Sequence, residues 1–456
     1  MARFEKDLTS GSVVKNLIIF ALPFMLSNLI QSLYNIADML IVGRYIGKIG
    51  ISGVSIGGQI TFIMTNVAIS ICTAGTIIVA QYIGAKDRHN ANKTIATLLT
   101  FLIGMAIIAT ILMLIFDDAV LHLIQTPTES YDYAKEYLGI TIMGVIFIFG
   151  YNALSGIMRG LGDSKTPLYL VAGACVINIG LDILFVGVLD MSVKGAAIAT
   201  IISQAFSMIM CILFLVRSDF MFDFRLSSFR IHSDKLKLIM KTGLPIIIQN
   251  VATNFSFLAM TGLANSLGVT ASAGLGIVAR YNGFAMLPSM AMGASVSAMA
   301  AQNIGAERID RAKHTMISGV WISYLVSLPI FFMTEPASAT FISFFDKDAD
   351  LIRSGVDYLS YFKYDYIIVP LLFSVNGLIT GSGHTIFSSA VGIASSLIIR
   401  VPLAFVLVHV LDLNLAGIGL SAPIATGLAA IVAVLYYFSN RWQRPVLKKS
   451  VIPTTK

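Results

Sequence analysis

Twelve apolar segments, each long enough to cross a lipid bilayer, dominate this sequence. A transmembrane helix needs about 20 consecutive, mainly apolar residues. The segments that meet this requirement lie at 14–42, 52–83, 94–116, 134–158, 166–188, 195–216, 236–264, 269–300, 314–334, 356–380, 385–410 and 414–438. Inside lipid, a helix satisfies its own backbone polar groups. We therefore predict an all-α polytopic membrane protein with twelve transmembrane helices, which we call spans 1 to 12.

The composition agrees with this prediction. Of the 456 residues, 56% are hydrophobic and 12% are charged, whereas a soluble domain carries about 25% charged residues. The net charge of +7 raises the possibility of nucleic-acid binding. However, the basic residues lie in short loops between the apolar segments, where they orient a protein in its membrane. We therefore expect no nucleic acid among the partners of this chain.

The basic residues alternate between the two sides of the predicted membrane. With the N-terminus in the cytoplasm, cytoplasmic segments hold 22 of the 31 Lys and Arg residues and outer segments hold seven. The other two, Arg280 and Arg400, lie within spans. Cytoplasmic loops carry such an excess of basic residues. We predict a multi-pass protein of the cell (plasma or inner) membrane with both termini in the cytoplasm.

The two halves of the chain repeat. Residues 80–85 read AQYIGA and residues 301–306 read AQNIGA. Other matches, whose offset is constant to within a single position, pair Leu22-Pro23 with Leu244-Pro245, Asn28 with Asn250, Gly160 and Gly162 with Gly381 and Gly383, Asp190 with Asp412, and Gly195 with Gly417. Six spans per half give both copies the same orientation. We predict two pseudo-symmetric six-helix bundles: an N-terminal lobe at 1–216, a cytoplasmic linker at 217–235, a C-terminal lobe at 236–440 and a cytoplasmic tail at 441–456.

Few ionisable side chains lie deep within the spans, where such residues are costly and mark functional sites by default. Asp38 in span 1 shares a helical face with Asn28, Gln31 and Asn35. Asp182 in span 5 lies one turn after Asn178. Asn152 in span 4 and Thr200 in span 6 could join them. We predict a cation-coupling site with these members: Asp38, Asn152, Asn178, Asp182 and Thr200. We also predict a substrate cavity lined by Gln31, Asn35 and Asp38.

The chemistry of this set leaves two coupling ions open. Burial favours the neutral form of a carboxyl group, so the set could bind a proton. Carboxylate, amide and hydroxyl oxygens could equally bind Na⁺ at Asp38, Asn178 and Asp182. For the asparagines and Thr200, hydrogen bonds that only hold helices together are an equal alternative. A purely structural carboxylate is expensive in a membrane, so a functional role is favoured for the two aspartates.

The second half of the chain differs in its charged residues. Arg400 occupies the repeat position of Asn178, and Ala404 occupies that of Asp182. Asp365 lies near the predicted outer end of span 10 beside Lys363, where we expect an interfacial ion pair.

Two prolines lie within predicted spans. Pro23 is inside span 1 and Pro245 is inside span 7. Each removes a backbone hydrogen bond, so both are candidate hinges, with a static kink as the alternative.

Motifs of enzymes and metal sites are missing from the sequence. Residues 160–166 read GLGDSKT, but Ser164 stands where a phosphate-binding loop needs glycine. There is no HExxH, no GxSxG and no zinc-like cysteine spacing. We expect a protein that is not an enzyme, that uses no cofactor besides H⁺ or Na⁺ as the coupling ion, and that uses an ion gradient to drive transport.

Together these motifs resemble those of the multidrug and toxic compound extrusion (MATE) family. The residues that carry the resemblance are Leu22-Pro23, residues 38–43 (DMLIVG), residues 80–85 with their repeat, residues 156–163 (GIMRGLGD), Asn178 with Asp182, and Arg400-Val-Pro402. The resemblance covers the chain from about Leu8 to Arg444. It implies a twelve-helix, two-lobe antiporter that exports organic, often cationic compounds in exchange for protons or sodium.

The resemblance also assigns roles to residues. The helix 1 aspartate of the family corresponds to Asp38, the helix 5 pair to Asn178 and Asp182, the helix 4 asparagine to Asn152, and the helix 6 hydroxyl to Thr200. One branch of the family has acidic residues in helices 7 and 10. Here only Asp365 is comparable, which implies the prokaryotic branch that couples through its N-terminal lobe.

The expected partners are small-molecule drugs or metabolites and membrane lipid, and we expect the chain to work as a monomer. A flippase for lipid-linked precursors, from the same superfamily, is the alternative function. It would need a cleft rich in arginine and lysine, whereas only Arg280 and Arg400 are available within the spans. A channel is less favoured, because channels are usually built from rings of like residues in symmetric oligomers.

Overall fold

The computed structural model describes residues 4–444, and this part of the chain is helical without any strand. The predicted tail at 441–456 lies outside the described residues except for its first four. The α-helices are α1 (Val13–Tyr45), α2 (Lys48–Gly84), α3 (Arg88–Leu123), α4 (Thr128–Met143), α5 (Val145–Gly160), α6 (Lys165–Asp182), α7 (Ser192–Arg217), α8 (Ser233–Ser266), α9 (Val269–Gly305), α10 (Ile309–Ser343), α11 (Ala349–Phe362), α12 (Asp365–Gly381), α13 (Thr385–Ile393), α14 (Arg400–His409) and α15 (Asn414–Phe438). Two π-helical segments, Ile183–Val188 and Ala394–Ile399, follow α6 and α13.

The predicted membrane-spanning architecture is confirmed. Among the described residues, ten helical segments are long and apolar enough to cross a membrane, and two bent helix pairs bring the number to twelve. Most helices extend several residues beyond the predicted spans. The 37 residues of α2 correspond to roughly 55 Å at 1.5 Å per residue. That length exceeds the hydrocarbon core of about 30 Å, so the ends of this helix continue outside the lipid.

Two spans predicted as continuous helices are broken. The predicted span 134–158 bends by 50° between α4 and α5, and the predicted span 356–380 bends by 45° between α11 and α12. The first bend is at Gly144, a residue type with low helix propensity. A Cβ atom there would lie 2.4 Å from Ile201 on α7, so only glycine fits. The second bend places Asp365 inside the bent pair, away from the outer end of the span where the sequence predicts it.

The chain forms two compact units. Among the described residues, the first consists of Phe4–Asp7 with Ile18–Ile247, and the second consists of Leu8–Leu17 with Ile248–Arg444. The boundaries therefore fall inside α1 and α8. The beginning of α1 belongs to the second unit, although most of α1 lies in the first. The beginning of α8 belongs to the first unit, although most of α8 lies in the second.

Hydrogen bonds hold the segment from Leu8 to Leu17 in the second unit. The backbone N–H of Leu8 donates to Gln302 Oε1 at 3.1 Å. Arg311 donates to the carbonyl oxygens of Ser10 and Gly11, each at 2.7 Å. Arg308 donates to the carbonyl oxygen of Thr9 at 2.5 Å. The start of the chain is thereby attached to the end of α9 and the start of α10.

The connection between α7 and α8 packs against the first unit. It spans residues 218–232 and contains a short 3₁₀ turn at Leu226–Ser228. Phe222 is buried, and its ring contacts those of Phe224 and Phe229 with centroids 5.1 and 5.2 Å away. Phe4 joins this group through Phe220, at 6.1 Å. The segment predicted as a linker is therefore an ordered part of the first unit.

One glycine in each unit lets two helices come into close contact. In the first unit, a Cβ at Gly160 of α5 would lie 2.9 Å from the carbonyl oxygen of Thr76 on α2. In the second unit, a Cβ at Gly381 of α12 would lie 2.4 Å from the carbonyl oxygen of Ser297 on α9. Small residues at helix contacts let membrane helices approach each other closely. The two contacts are equivalent, because both residue pairs are related by the offset of the sequence repeat.

Replacing Gly381 with alanine should destabilise the protein, because the new methyl group would meet backbone atoms that cannot rotate away. Overpacking of this kind costs about 1–3 kcal/mol. Gly276→Ala is the matched control, since nothing lies within 4 Å of its Cβ position. Thermal unfolding of the detergent-solubilised protein compares the two variants. Equal melting temperatures for both would show that this close contact is not needed.

Candidate functional site

The carboxyl groups of Asp38 and Asp182 lie together inside the first unit. Asp38, in α1, is 7% exposed, and Asp182, at the end of α6, is completely buried. The two side chains are within hydrogen-bonding reach of each other. Both oxygens of Asp182 and Oδ1 of Asp38 lack a hydrogen-bond donor among the described residues. Two neighbouring carboxylates repel each other, which disfavours ionisation of both. A bound proton or metal cation would therefore stabilise this acid pair.

Asn178 adds a third polar side chain with unused hydrogen-bonding capacity. It is fully buried one turn before Asp182 on α6, and neither its Oδ1 nor its Nδ2 has a partner among the described residues. An unsatisfied buried polar group costs about 1–3 kcal/mol. The π-helical segment Ile183–Val188 begins directly after Asp182, and such segments are frequent at functional sites. The local backbone therefore changes its helical geometry where the polar groups converge.

Two tyrosines connect Thr200 to the acid pair. The hydroxyl of Tyr34, on α1, donates to Thr200 Oγ1 on α7 at 3.3 Å. The hydroxyl of Tyr137, on α4, is also within hydrogen-bonding reach of Thr200. Both phenols are close enough to Asp38 to sense its charge. Neither tyrosine was predicted from the sequence, although Tyr34 lies four residues before Asp38 and therefore on the same helical face.

The other predicted residues lie apart from this cluster. The side chain of Asn152 turns back onto its own helix, where Nδ2 donates to the carbonyl oxygen of Ile148 at 2.8 Å. Gln31 and Asn35 are exposed on α1. Asp38, at the end of the same helical face, is buried instead.

An apolar layer lies one helical turn from the acid pair. It consists of Val42, Tyr137, Val186, Ala196 and Ala197, together with Val54 and Val193. Val42 follows Asp38 by four residues on α1 and so lies one helical turn further along the same face, and Val186 follows Asp182 within the π-helical segment. These buried side chains make the surroundings of the acid pair apolar on this side.

The candidate hinges lie in helices that both units share. Pro23 is inside α1 and Pro245 is inside α8. The unit boundary crosses α1 five residues before Pro23 and crosses α8 two residues after Pro245. Proline weakens the helical hydrogen-bond ladder. Both helices therefore have a weakened turn close to the place where they pass between units.

The second unit has a different buried acid. Asp365 is 4% exposed at the start of α12. The predicted ion pair between Lys363 and Asp365 is wrong, because Lys363 pairs with Glu335 on α10. Lys363 and Asp365 are separated by the bend between α11 and α12, which directs them to different neighbours. Asp365 instead accepts a hydrogen bond from Thr426 and lies within electrostatic reach of Arg400.

A family model identifies the two halves as copies of one unit. The model described as MatE matches residues 23–184 and again residues 245–406. The chain belongs to the MatE family. The two MatE copies begin at Pro23 and Pro245, which are displaced by the same offset as the repeated motifs. The match therefore confirms the internal repeat and the resemblance found in the sequence.

Bacterial relatives match the chain over nearly its whole length. The probable multidrug resistance protein YpnP of Bacillus subtilis is 29% identical over 96% of this chain and 97% of its own. The probable multidrug resistance protein NorM of Thermotoga maritima is 27% identical over 94% of this chain and 93% of its own. The multidrug export protein MepA of Staphylococcus haemolyticus is 22% identical over 97% of both chains.

Solved structures share the fold of this MatE protein. A MOP superfamily transporter from Pyrococcus furiosus, reported with a binding pocket of reverse polarity, gives a TM-score of 0.89 at 22% identity, over 95% of this chain and 97% of its own. A structure reported as MATE in complex with MaD3S gives the same TM-score, identity and coverage. The two-lobe, twelve-helix transporter fold is thereby established.

The MatE match includes most of the cluster in the first unit. The first copy contains Tyr34, Asp38, Tyr137, Asn178 and Asp182, whereas Thr200 lies beyond its end at residue 184. The family is one of multi-span membrane transporters, and this chain is one of them.

Proposed function

We propose that this MatE protein is a secondary active antiporter. It exports organic, cationic and amphipathic compounds in exchange for H⁺ or Na⁺, by alternating access of its two lobes. One observation supports the proposal. The carboxyl groups of the acid pair, Asp38 and Asp182, are buried, and no hydrogen-bond donor among the described residues lies between them. Such a pair changes its charge when a cation binds, which is what coupling to an ion gradient requires.

The chemistry of the first unit supports an exchange of cations. A proton on one carboxyl group would form a hydrogen bond to the other and relieve their repulsion. Alternatively, Na⁺ would take oxygen ligands from Asp38, Asp182 and Asn178. Either ion reduces the negative field that attracts a cationic substrate along α1. The loss of this attraction favours release of the substrate, while α1 repacks and bends at Pro23.

The apolar layer supports access from one side at a time. In the proposed topology, with both termini in the cytoplasm, Val42 and Val186 lie on the outer side of the acid pair. Their side chains exclude water and so raise the cost of an uncompensated charge. An ion from outside can reach the pair only when the helices that form this layer separate.

The names of the relatives support small organic molecules as substrates, since several are described as multidrug resistance or export proteins. A flippase for phosphate-bearing lipids is less well supported. The guanidinium of Arg280 lies over the ring of Phe345 at 6.0 Å, and that of Arg400 lies over the ring of Phe257 at 5.5 Å. Both arginines thus have partners of their own within the second unit.

Transport in reconstituted vesicles tests the proposal. A fluorescent cationic dye is followed while a proton gradient and a sodium gradient are imposed separately. We expect at least one gradient to move the dye against its own concentration gradient without ATP. Dye movement that is only downhill and indifferent to both gradients would contradict antiport.

The proposed topology predicts which loops an impermeant thiol reagent can reach. In a chain without Cys72, Cys175 and Cys211, a cysteine replacing Ser227 should stay unmodified in intact cells and react once the membrane is opened. Ser227 is exposed in the α7–α8 connection, so only the membrane would protect it. Asp346→Cys, exposed between α10 and α11, is the control that should react at once. Ready labelling at position 227 in intact cells would reverse the topology.

A further inference from the structure

The N-terminal segment, residues 4–11, has contacts within each of the two units. Phe4–Asp7 belongs to the first unit, and the residues from Leu8 to Leu17 belong to the second. Two successive residues are therefore held by different parts of the fold. The chain has no slack at this point, because neighbouring Cα atoms are only about 3.8 Å apart. If the units move against each other here, one of the two sets of contacts has to break.

An ion pair and a backbone hydrogen bond hold this segment on the first unit. The carboxylate of Glu5 pairs with the guanidinium of Arg88, at the start of α3. The backbone N–H of Lys6 donates to the carbonyl oxygen of Leu161 at 3.0 Å. A Cβ at Gly162 would lie 2.4 Å from the carbonyl oxygen of Lys6. The segment thus lies directly on the glycine turn that follows α5, which is one of the features repeated between the halves.

The second unit holds the next four residues through their backbone. Gln302 accepts from the N–H of Leu8 at 3.1 Å, and Asn303 donates to the carbonyl oxygen of Leu8 at 3.3 Å. Both residues belong to the AQNIGA copy of the repeated motif. Arg308 and Arg311 donate to the carbonyl oxygens of residues 9–11. Hydrogen bonds to four successive residues therefore fix this part of the segment.

The two attachments differ in kind. The attachment to the second unit is a series of hydrogen bonds, whereas the attachment to the first depends on one backbone hydrogen bond and one ion pair. The side chain of Arg88 is 46% exposed, so water and salt weaken its attraction to Glu5. The ring of Phe4 adds a contact with that of Phe214 on α7, with centroids 5.6 Å apart, but apolar contact is non-directional. The attachment to the first unit is therefore the one that breaks first.

We propose that the N-terminal segment is a latch, and that the ion pair between Glu5 and Arg88 is its release point. The closed latch ties the two units together through residues 4–11. When the protein opens on the side of its termini, the contacts of residues 4–7 break and those of residues 8–11 persist. The strength of the ion pair thereby determines how easily this side opens. The role in opening rests on the proposed alternating access, whereas the position of the release point does not.

Residue-resolved hydrogen exchange of the purified protein tests the release point. The amide of Lys6 reports attachment to the first unit, and that of Leu8 reports attachment to the second. We expect the amide of Lys6 to be less protected than that of Leu8. Glu5→Gln should speed exchange at Lys6 by about 1.4–5-fold, as expected for the loss of an exposed ion pair, and leave Leu8 unchanged. Added salt should have the same effect in the unchanged protein and little effect in Glu5→Gln.

Matched variants control the exchange measurement. Arg88→Met should behave like Glu5→Gln, while Arg88→Lys keeps the positive charge and should stay close to the unchanged protein. Glu129→Gln removes an equal charge from an exposed position of the first unit and should alter neither amide. The release point is wrong if Leu8 is no better protected than Lys6. It is also wrong if Glu5→Gln accelerates both amides equally, since the segment would then detach as one piece, or if it accelerates neither.

A removable covalent lock tests whether the latch has to open during transport. In a chain without its three native cysteines, Glu5→Cys and Arg88→Cys are joined by a flexible bifunctional methanethiosulfonate. We expect the lock to stop gradient-driven dye movement in vesicles, and a reductant to restore it. Glu5→Cys alone, treated with the same reagent, should continue to move dye. Full dye movement by the locked protein would overturn the latch. If the unlocked protein moves no dye either, the proposed antiport fails, and the exchange rates still decide the release point.

Discussion

Replacing Asp182 with asparagine should reduce gradient-driven export to the level of vesicles that lack the protein. Asparagine has nearly the same shape, so the variant should insert and fold. It has no charge to lose, however, and therefore cannot exchange one cation for another. Asp38→Asn should have the same effect, because each carboxylate of the acid pair is needed to hold the ion. Dye efflux with an imposed proton or sodium gradient measures the loss.

Two other aspartates provide matched controls. Asp190 is exposed after the π-helical segment, and its backbone φ of 50° is one that asparagine also adopts readily. Asp190→Asn should therefore export normally. Asp365→Asn should keep most activity, since Asp365 lies in the second unit, apart from the proposed coupling site. Full efflux by Asp182→Asn would exclude the acid pair as the coupling site.

A cationic dye should bind more weakly to the purified protein when the pH falls or the sodium concentration rises. An ion at the acid pair neutralises the field that attracts the dye, and linkage requires that bound dye weaken ion binding by the same factor. A typical coupling of about 1–3 kcal/mol corresponds to a 5–150-fold change in dye affinity. Equilibrium dye binding, measured by fluorescence across a pH series and a sodium series, gives this factor directly.

The ion effect should disappear in Asp38→Asn, while Asp190→Asn should retain it in full. If dye affinity stays constant across the range of pH and sodium that drives efflux, direct coupling at the acid pair is wrong. The ion would then act elsewhere, or only on the rate of exchange between conformations.

The sequence predicts the spans well because lipid imposes a simple demand on composition. All twelve apolar segments coincide with continuous helical segments, two of which include a π-helical stretch, or with bent helix pairs. The bends were missed because hydropathy continues through Gly144 and through the residues before Asp365, so the pattern contains no gap. Because the bend between α11 and α12 was not predicted, the position of Asp365 was predicted wrongly. Its neighbours are determined by this bend and not by its closeness to Lys363 in the sequence.

The candidate site, like the fold, was predicted only in part from the sequence. Asp38 and Asp182 stood out because a carboxylate in an apolar segment is costly, and the structure brings them together. Tyr34 and Tyr137 did not stand out, because tyrosine is common in membrane helices and is not costly there. Asn152 was selected by residue type, but its side chain satisfies itself on its own helix. Residue type can identify expensive groups, whereas contacts between helices depend on packing.

The attachment of residues 8–17 to the second unit constrains the order in which the protein is made. These residues are synthesised well before their hydrogen-bond partners, since Leu8 and Gln302 are 294 positions apart and Arg308 and Arg311 follow later still. Most of the chain must be synthesised and inserted before those contacts can form. Until then the start of α1 lacks its final hydrogen-bond partners, while the remainder of that helix already lies in the membrane. The contacts that hold the start of α1 therefore form only after the end of α9 and the start of α10 are in place.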